Sequence, residues 1–135
     1  MKDKIAELQT SYDRIAEEYA RRIYDELAHK PLDRQLLDRF AAAVQGLGPV
    51  CDLGCGPGHV ARYLHEHGVD VFGIDLAPNM VEVAKRLNPG IDFKQGNMYA
   101  LEVENDAWGG IAAFYSMIHI PRERVTAVLN ELRWV

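Results

Sequence analysis

Long apolar runs are what this sequence most clearly lacks, since no stretch reaches the ~20 residues that a membrane-spanning helix needs. The amino terminus, Met1-Lys2-Asp3-Lys4, continues into Glu and Gln and not into the apolar core of a secretory signal. Cysteine is scarce as well. Cys51 and Cys55 stand alone at C-x-x-x-C spacing, and no second cysteine or histidine pair completes a zinc site beside them. Small residues packed beside tight backbone are the expectation for both, in a cytoplasmic protein with reduced thiols. An excess of positive charge is also missing. Lys and Arg total 15 against 20 Asp and Glu, a formal net charge of -5. The basic residues are interleaved with acids, as in Asp13-Arg14 and in Arg21-Arg22 near Glu17-Glu18. That pattern describes solvated helix faces and argues against a nucleic-acid or membrane partner. What remains is 135 residues with 48% hydrophobic and 26% charged content, enough for one globular domain spanning 1–135.

The chain then divides into two grammars. Ile5, Leu8, Tyr12, Ile15, Tyr19, Ile23 and Leu27 recur at helical steps, with a break expected near Thr10-Ser11, where Thr10 and Asp13 suit a capping pair. Pro31 suits the first turn of a second helix whose stripe is Leu32, Leu36, Leu37, Phe40 and Val44, stopped by Gly46 and Gly48. After these two helices the pattern changes to strands at 50–53, 69–75, 91–95 and 110–115. Helices at about 59–67 and from Pro78 to Asn88-Pro89-Gly90 separate the first three, and Pro121 opens another with Val125, Val128, Leu129 and Leu132. Strands alternating with helices predict an α/β fold, an open parallel sheet with helices on both faces.

The turn after the first strand carries the chemistry. Gly54, Gly56 and Gly58 let backbone approach a ligand closely, and the next helix offers its N–H groups and positive dipole end. Asp75 closes the next strand, 23 residues after Asp52, where a carboxylate can accept both hydroxyls of a ribose. A nucleoside-containing cofactor is expected. The nicotinamide fingerprint G-x-G-x-x-G requires glycine at 59, and the residue is His59, which disfavours a dehydrogenase.

With VCDLGCGPG in first place, the sequence resembles the class I, Rossmann-like S-adenosylmethionine-dependent methyltransferases of small-molecule type. VFGIDLAPNMVEVAK, IDFKQGNMYAL and GIAAFYSMIHI are similar to the three motifs that follow in that family, and YDRIAEEYA resembles its leading helix. The resemblance runs from about Tyr12 to the end. It implies S-adenosyl-L-methionine as cofactor, S-adenosyl-L-homocysteine as product and a small-molecule methyl acceptor. It also implies roles for particular residues. Gly54, Cys55 and Gly56 would line the methionine portion with Asp52 beneath it, Asp75 would bind the ribose, and Leu76 and Met80 would flank the adenine. Asn97 and Met98 would meet the adenine edge, Tyr115 and Ser116 would face the transferred methyl, and Tyr12 and Tyr19 would close over the cofactor. Asn97 departs from the acid common in that motif, although its amide oxygen still accepts a hydrogen bond.

Plainer roles stand beside these. Leu76 and Met80 suit core packing at helical spacing, as do Tyr12 and Tyr19 on their apolar stripe, and His65 and His67 suit solvent. His119 is the candidate general base, needed only if the acceptor must lose a proton, and otherwise a pocket-wall residue. The family's sheet has the order 3-2-1-4-5-7-6, so this chain, with four strands, is expected to form 3-2-1-4 and to lack the family's C-terminal strands. The uncharged run Ile111-Ala112-Ala113-Phe114-Tyr115 would then form an edge that needs covering, by a homodimer or an exchange of elements. Two functions are compatible with this: a methyltransferase with an incomplete catalytic domain, or a non-catalytic cofactor-binding and dimerisation module.

Overall fold

The computed structural model describes residues 2–97 and 108–113. Two helices lead, α1 (Lys2–Ile23) and α2 (Pro31–Val44), with a 3-10 turn at Glu26–His29 between them. The alternation follows: β1 (Val50–Leu53), α3 (His59–Glu66), β2 (Val71–Asp75), α4 (Pro78–Leu87), β3 (Asp92–Gln95) and β4 (Gly110–Ala112). The four strands form one parallel sheet in the order β3-β2-β1-β4. This is the Rossmann-like arrangement expected from the motifs. The helix expected from Pro121 and the last part of the fourth strand lie outside the described residues.

The break expected in α1 does not occur, and the helix runs unbroken through Thr10 and Ser11. Ser and Thr weaken a helix by only about 0.5 kcal/mol each. That is less than α1 gains by burying Ala16 and Ala20 against Ala77, Met80 and Val83. The small alanines let α1 approach α4 closely. The expected stripe of α2 also needs correction. Leu37, Ala41 and Val44 are its buried residues, whereas Leu32 is 72% and Leu36 55% exposed. Leu36 stands about 100° around the helix from Leu37, too far for one sheet face to cover both.

The second strand starts later than the sequence pattern suggests because Val69 closes α3. Its N–H bonds Leu64 O at 3.0 Å, and the Gly68 N–H bonds His65 O at 3.1 Å. Gly68 has a φ of 83°, completing a Schellman stop. One sheet face is covered by α2, α3 and α4, whose Leu37, Ala41, Val44, Val60, Ala61, Leu64, Val81 and Ala84 share a core with Val50, Val71 and Phe93. The opposite face carries Cys51, Leu53, Phe72, Ile74 and Ile111, with Trp108 edge-on to Phe72 at 5.3 Å. Among the described residues no strand pairs with the outer edge of β4.

Candidate functional site

The carboxyl ends of β1 and β2 are adjacent in the sheet, where open α/β sheets bind ligands. The chain leaves β1 through a turn in which Gly54, Gly56 and Gly58 have φ of 73°, 56° and 87°. Side chains rarely adopt that region, so the alternate glycines follow from the backbone path itself. The turn is pinned to the neighbouring strand, since the Gly54 and Cys55 N–H groups both bond Ile74 O, at 2.8 and 3.0 Å. At its far end a Cβ on Gly58 would lie 2.6 Å from Asn88 Nδ2 and 2.8 Å from Phe93 Cζ. Gly73, opposite Asp52 in the register, is equally confined, because a Cβ there would lie 2.5 Å from Phe93 Cδ1 and 2.9 Å from Cys55 Sγ.

Asp75 closes β2 and joins the turn to the next loop. Its Oδ2 accepts the Gly56 N–H at 2.9 Å and its Oδ1 the Ala77 N–H at 3.0 Å. These two bonds, one to each oxygen, fix the orientation of the carboxylate at the mouth of the turn. The end of β3 braces the same loop. Gly96 N–H bonds Asp75 O at 3.0 Å, and Gln95 Nε2 bonds Leu76 O at 3.1 Å.

Asp52 lies beneath the turn and is only 2% exposed. Its carboxylate accepts the backbone N–H of Ala61, the third residue of α3, while its Oδ2 has no hydrogen-bond partner among the described residues. Burial pushes its pKa from 3.8 to about 7, the Ala61 bond opposes that rise, and the charge of Asp75 adds to it. One N–H of the helix that was expected to offer itself to a ligand is therefore already engaged by an acid of this chain. A phosphate brought to this helix end would meet a buried carboxylate, whereas a cation would find a ready counter-charge. Cys55 and Cys51 are free and buried, and burial drives both thiols well above their ordinary range. They are poor nucleophiles in this state.

The structure thus brings together Asp52, Gly54, Cys55, Gly56, Asp75 and Leu76. Asn97 follows β3 by two residues and is half-buried. Met80 is fully buried in the α1–α4 contact among Ala16, Ala20, Ala77 and Val83, which is its core-packing role. Tyr12 and Tyr19 belong to α1. Met98, Tyr115, Ser116 and His119 lie outside the described residues. His65 and His67 are exposed, and His67 stacks on Tyr63 with ring centroids 4.2 Å apart. Sequence reasoning missed Gln95, Asn88 and Tyr24, all of which reach the site's framework through side-chain hydrogen bonds. The only signal for Asn88 in the sequence is its place in a helix-stopping Asn-Pro-Gly.

Known proteins resemble this arrangement. The chain is 36% identical over 98 residues to trans-aconitate 2-methyltransferase of Methylobacterium nodulans, covering 69% of this chain and 32% of the relative. It is 33% identical over 97 residues to a Nostoc punctiforme protein named L-tryptophan dehydrogenase, covering 70% of this chain and 26% of the relative. It therefore spans a third or less of the length of these curated relatives. Magnesium protoporphyrin IX methyltransferase of Synechocystis, solved with bound SAM, has the same fold with a TM-score of 0.73 at 22% identity, over 96% of this chain and 70% of that one. A family model described as a methyltransferase domain matches residues 50–135, well over half the sequence, and by that match the chain belongs to the methyltransferase domain family.

Proposed function

We propose that this chain builds the S-adenosylmethionine site of a methyltransferase acting on a small-molecule acceptor. The observation that carries the reading is Asp52, buried under the glycine turn, bonded to the start of α3 and left with one oxygen that has no partner among the described residues. Such a site disfavours the pyrophosphate of a dinucleotide and suits a ligand whose amino-acid portion carries an ammonium group. When bound, S-adenosylmethionine supplies a methyl group activated on a sulfonium, so the protein's own contribution is chiefly alignment.

Each residue then has a task. Asp75, oriented by Gly56 and Ala77, accepts the ribose hydroxyls. The backbone of Gly54, Cys55 and Gly56 lines the methionine portion, and Asp52 balances its charge from below. Leu76 flanks the adenine, with Met80 behind it, and Asn97 and Met98 hold its edge. Tyr12 and Tyr19 close over the cofactor from α1. Tyr115 and Ser116 face the acceptor, and His119 takes the acceptor's proton where the chemistry requires it. The outer edge of β4 pairs with a second copy of the chain, which sedimentation of the protein as monomer or dimer would decide.

Calorimetric titration with S-adenosylhomocysteine, with reduced nicotinamide cofactor as the control ligand, tests the reading. Micromolar or tighter binding of the first and none of the second is expected. A folded chain that binds only the nicotinamide cofactor, or neither, overturns it.

A further inference from the structure

Behind the glycine turn runs a polar chain that the cofactor reading leaves unused. Asn88, the residue after α4, is only 4% exposed. Its Nδ2 donates to Pro57 O at 3.0 Å and to Ala84 O at 2.9 Å. Its Oδ1 accepts from the Tyr24 hydroxyl at 2.5 Å. Tyr24 follows α1 directly, and its own oxygen accepts from Arg62 Nη1 of α3 at 2.9 Å. Arg62 also lies over the Tyr24 ring, 5.7 Å from its centroid, and bonds Glu66 at 2.9 Å. The Asn88 amide touches the turn itself, because a Cβ on Gly58 would stand 2.6 Å from Nδ2.

An amide presents acceptor and donors in fixed opposition, so holding Oδ1 decides where both N–H groups point. The Tyr24 hydroxyl sets that orientation. With it in place, Asn88 fastens the Pro57 carbonyl to the last turn of α4 by two buried bonds, and both its amide nitrogen and its amide oxygen are engaged. Pro57 and Gly58 are the far end of the same turn whose near end, Gly54 to Gly56, is pinned by Ile74 O and Asp75. The turn is thus held at both ends, one by the sheet and one by a link to the leading helix.

We propose that Asn88 and Tyr24 are positioning residues of the cofactor site, which clamp the Pro57 end of the glycine turn to the end of α1 and so keep the turn in the shape that receives the methionine portion. The proposal rests on the function proposed above. It makes the two parts of the ligand respond differently, since the turn serves the methionine portion while Asp75 and Leu76 serve the adenosine portion.

The test is calorimetric titration of the chain and of Tyr24→Phe with S-adenosylhomocysteine and, separately, with adenosine, beside a thermal melt of each protein. Tyr24→Phe keeps the ring and its packing and removes one hydroxyl, so it is expected to fold. The S-adenosylhomocysteine Kd should rise about fivefold, the scale of one net hydrogen bond, with the adenosine Kd unchanged. Val44→Ala, in the core between α2 and the sheet, should lower Tm and leave both affinities as they were. A Tyr24→Phe protein that melts lower but binds both ligands like the parent overturns the clamp, as does an equal loss for both ligands. Failure of the folded parent chain to bind S-adenosylhomocysteine overturns the cofactor reading itself and the clamp with it.

Discussion

Asp52 and Asp75 are the same chemical group at the ends of neighbouring parallel strands, yet their surroundings differ in almost every respect. The register sets Asp52 opposite Gly73, so Asp75 stands one pleat further out. At that height it has loop backbone on two sides, and each of its oxygens accepts an N–H, from Gly56 and from Ala77. Asp52 faces inward to the start of α3, accepts the Ala61 N–H, and has no partner for Oδ2 among the described residues. The outer acid is an acceptor held at the mouth of the site. The inner one is a buried charge whose ionisation depends on what arrives above it. Two residues of strand length, and not a difference in sequence chemistry, separate these roles.

Comparing the pH dependence of the parent chain and Asp52→Asn is the experiment most able to break this contrast. The folded pKa of Asp52 is raised to about 7 from 3.8, so the folded state binds the proton more tightly than the unfolded state does. The contribution of this group is therefore fully present below pH ~4 and is lost as pH rises through ~7, a change on the order of 4 kcal/mol. In urea titrations from pH 4 to 8, Asp52→Asn should lack that decline and overtake the parent at the upper end. Parallel curves for the two proteins would mean that Asp52 is no more buried in effect than Asp75. Next in size is Gly73→Val, which places a branched side chain where even a Cβ would stand 2.5 Å from Phe93. It should remove about 3 kcal/mol of stability, and a variant as stable as the parent would show that Phe93 and Cys55 do not confine the strand opposite Asp52.

Asp75→Ala sharpens the contrast from the other side. It should weaken S-adenosylhomocysteine binding by about 1–3 kcal/mol, the range for leaving buried polar groups unpaired; unchanged affinity would remove Asp75 from the site. The smallest effect is expected far from both acids. Leu36→Ser, on the exposed side of α2, should change stability by no more than about 0.5 kcal/mol, against several times that for a residue truly in the core.

Much of this site is legible along the chain because its signals are local. Gly54, Gly56 and Gly58 are required wherever the backbone turns with positive φ, and that demand is written in the residues themselves. Asp75 is visible because it ends an apolar run. Asn88 and Tyr24 are not, since they lie 64 positions apart and become partners only when α1 docks on α4. The α2 stripe misleads for a related reason. Helical periodicity names the apolar residues but not how wide a face the neighbouring sheet can cover, and here Leu32 and Leu36 fall outside it.

By itself, the sequence determined the alternation of strands and helices, the glycine turn and the acid at the end of β2, because local backbone sterics and hydrophobic period depend on neighbours only a few residues away. The tertiary structure alone decided which oxygen of which acid found a partner, that α3 begins on Asp52, and that the far end of the turn is tied to α1 through Asn88 and Tyr24. Burial and hydrogen-bond pairing arise between segments distant in the chain, and no local pattern encodes them.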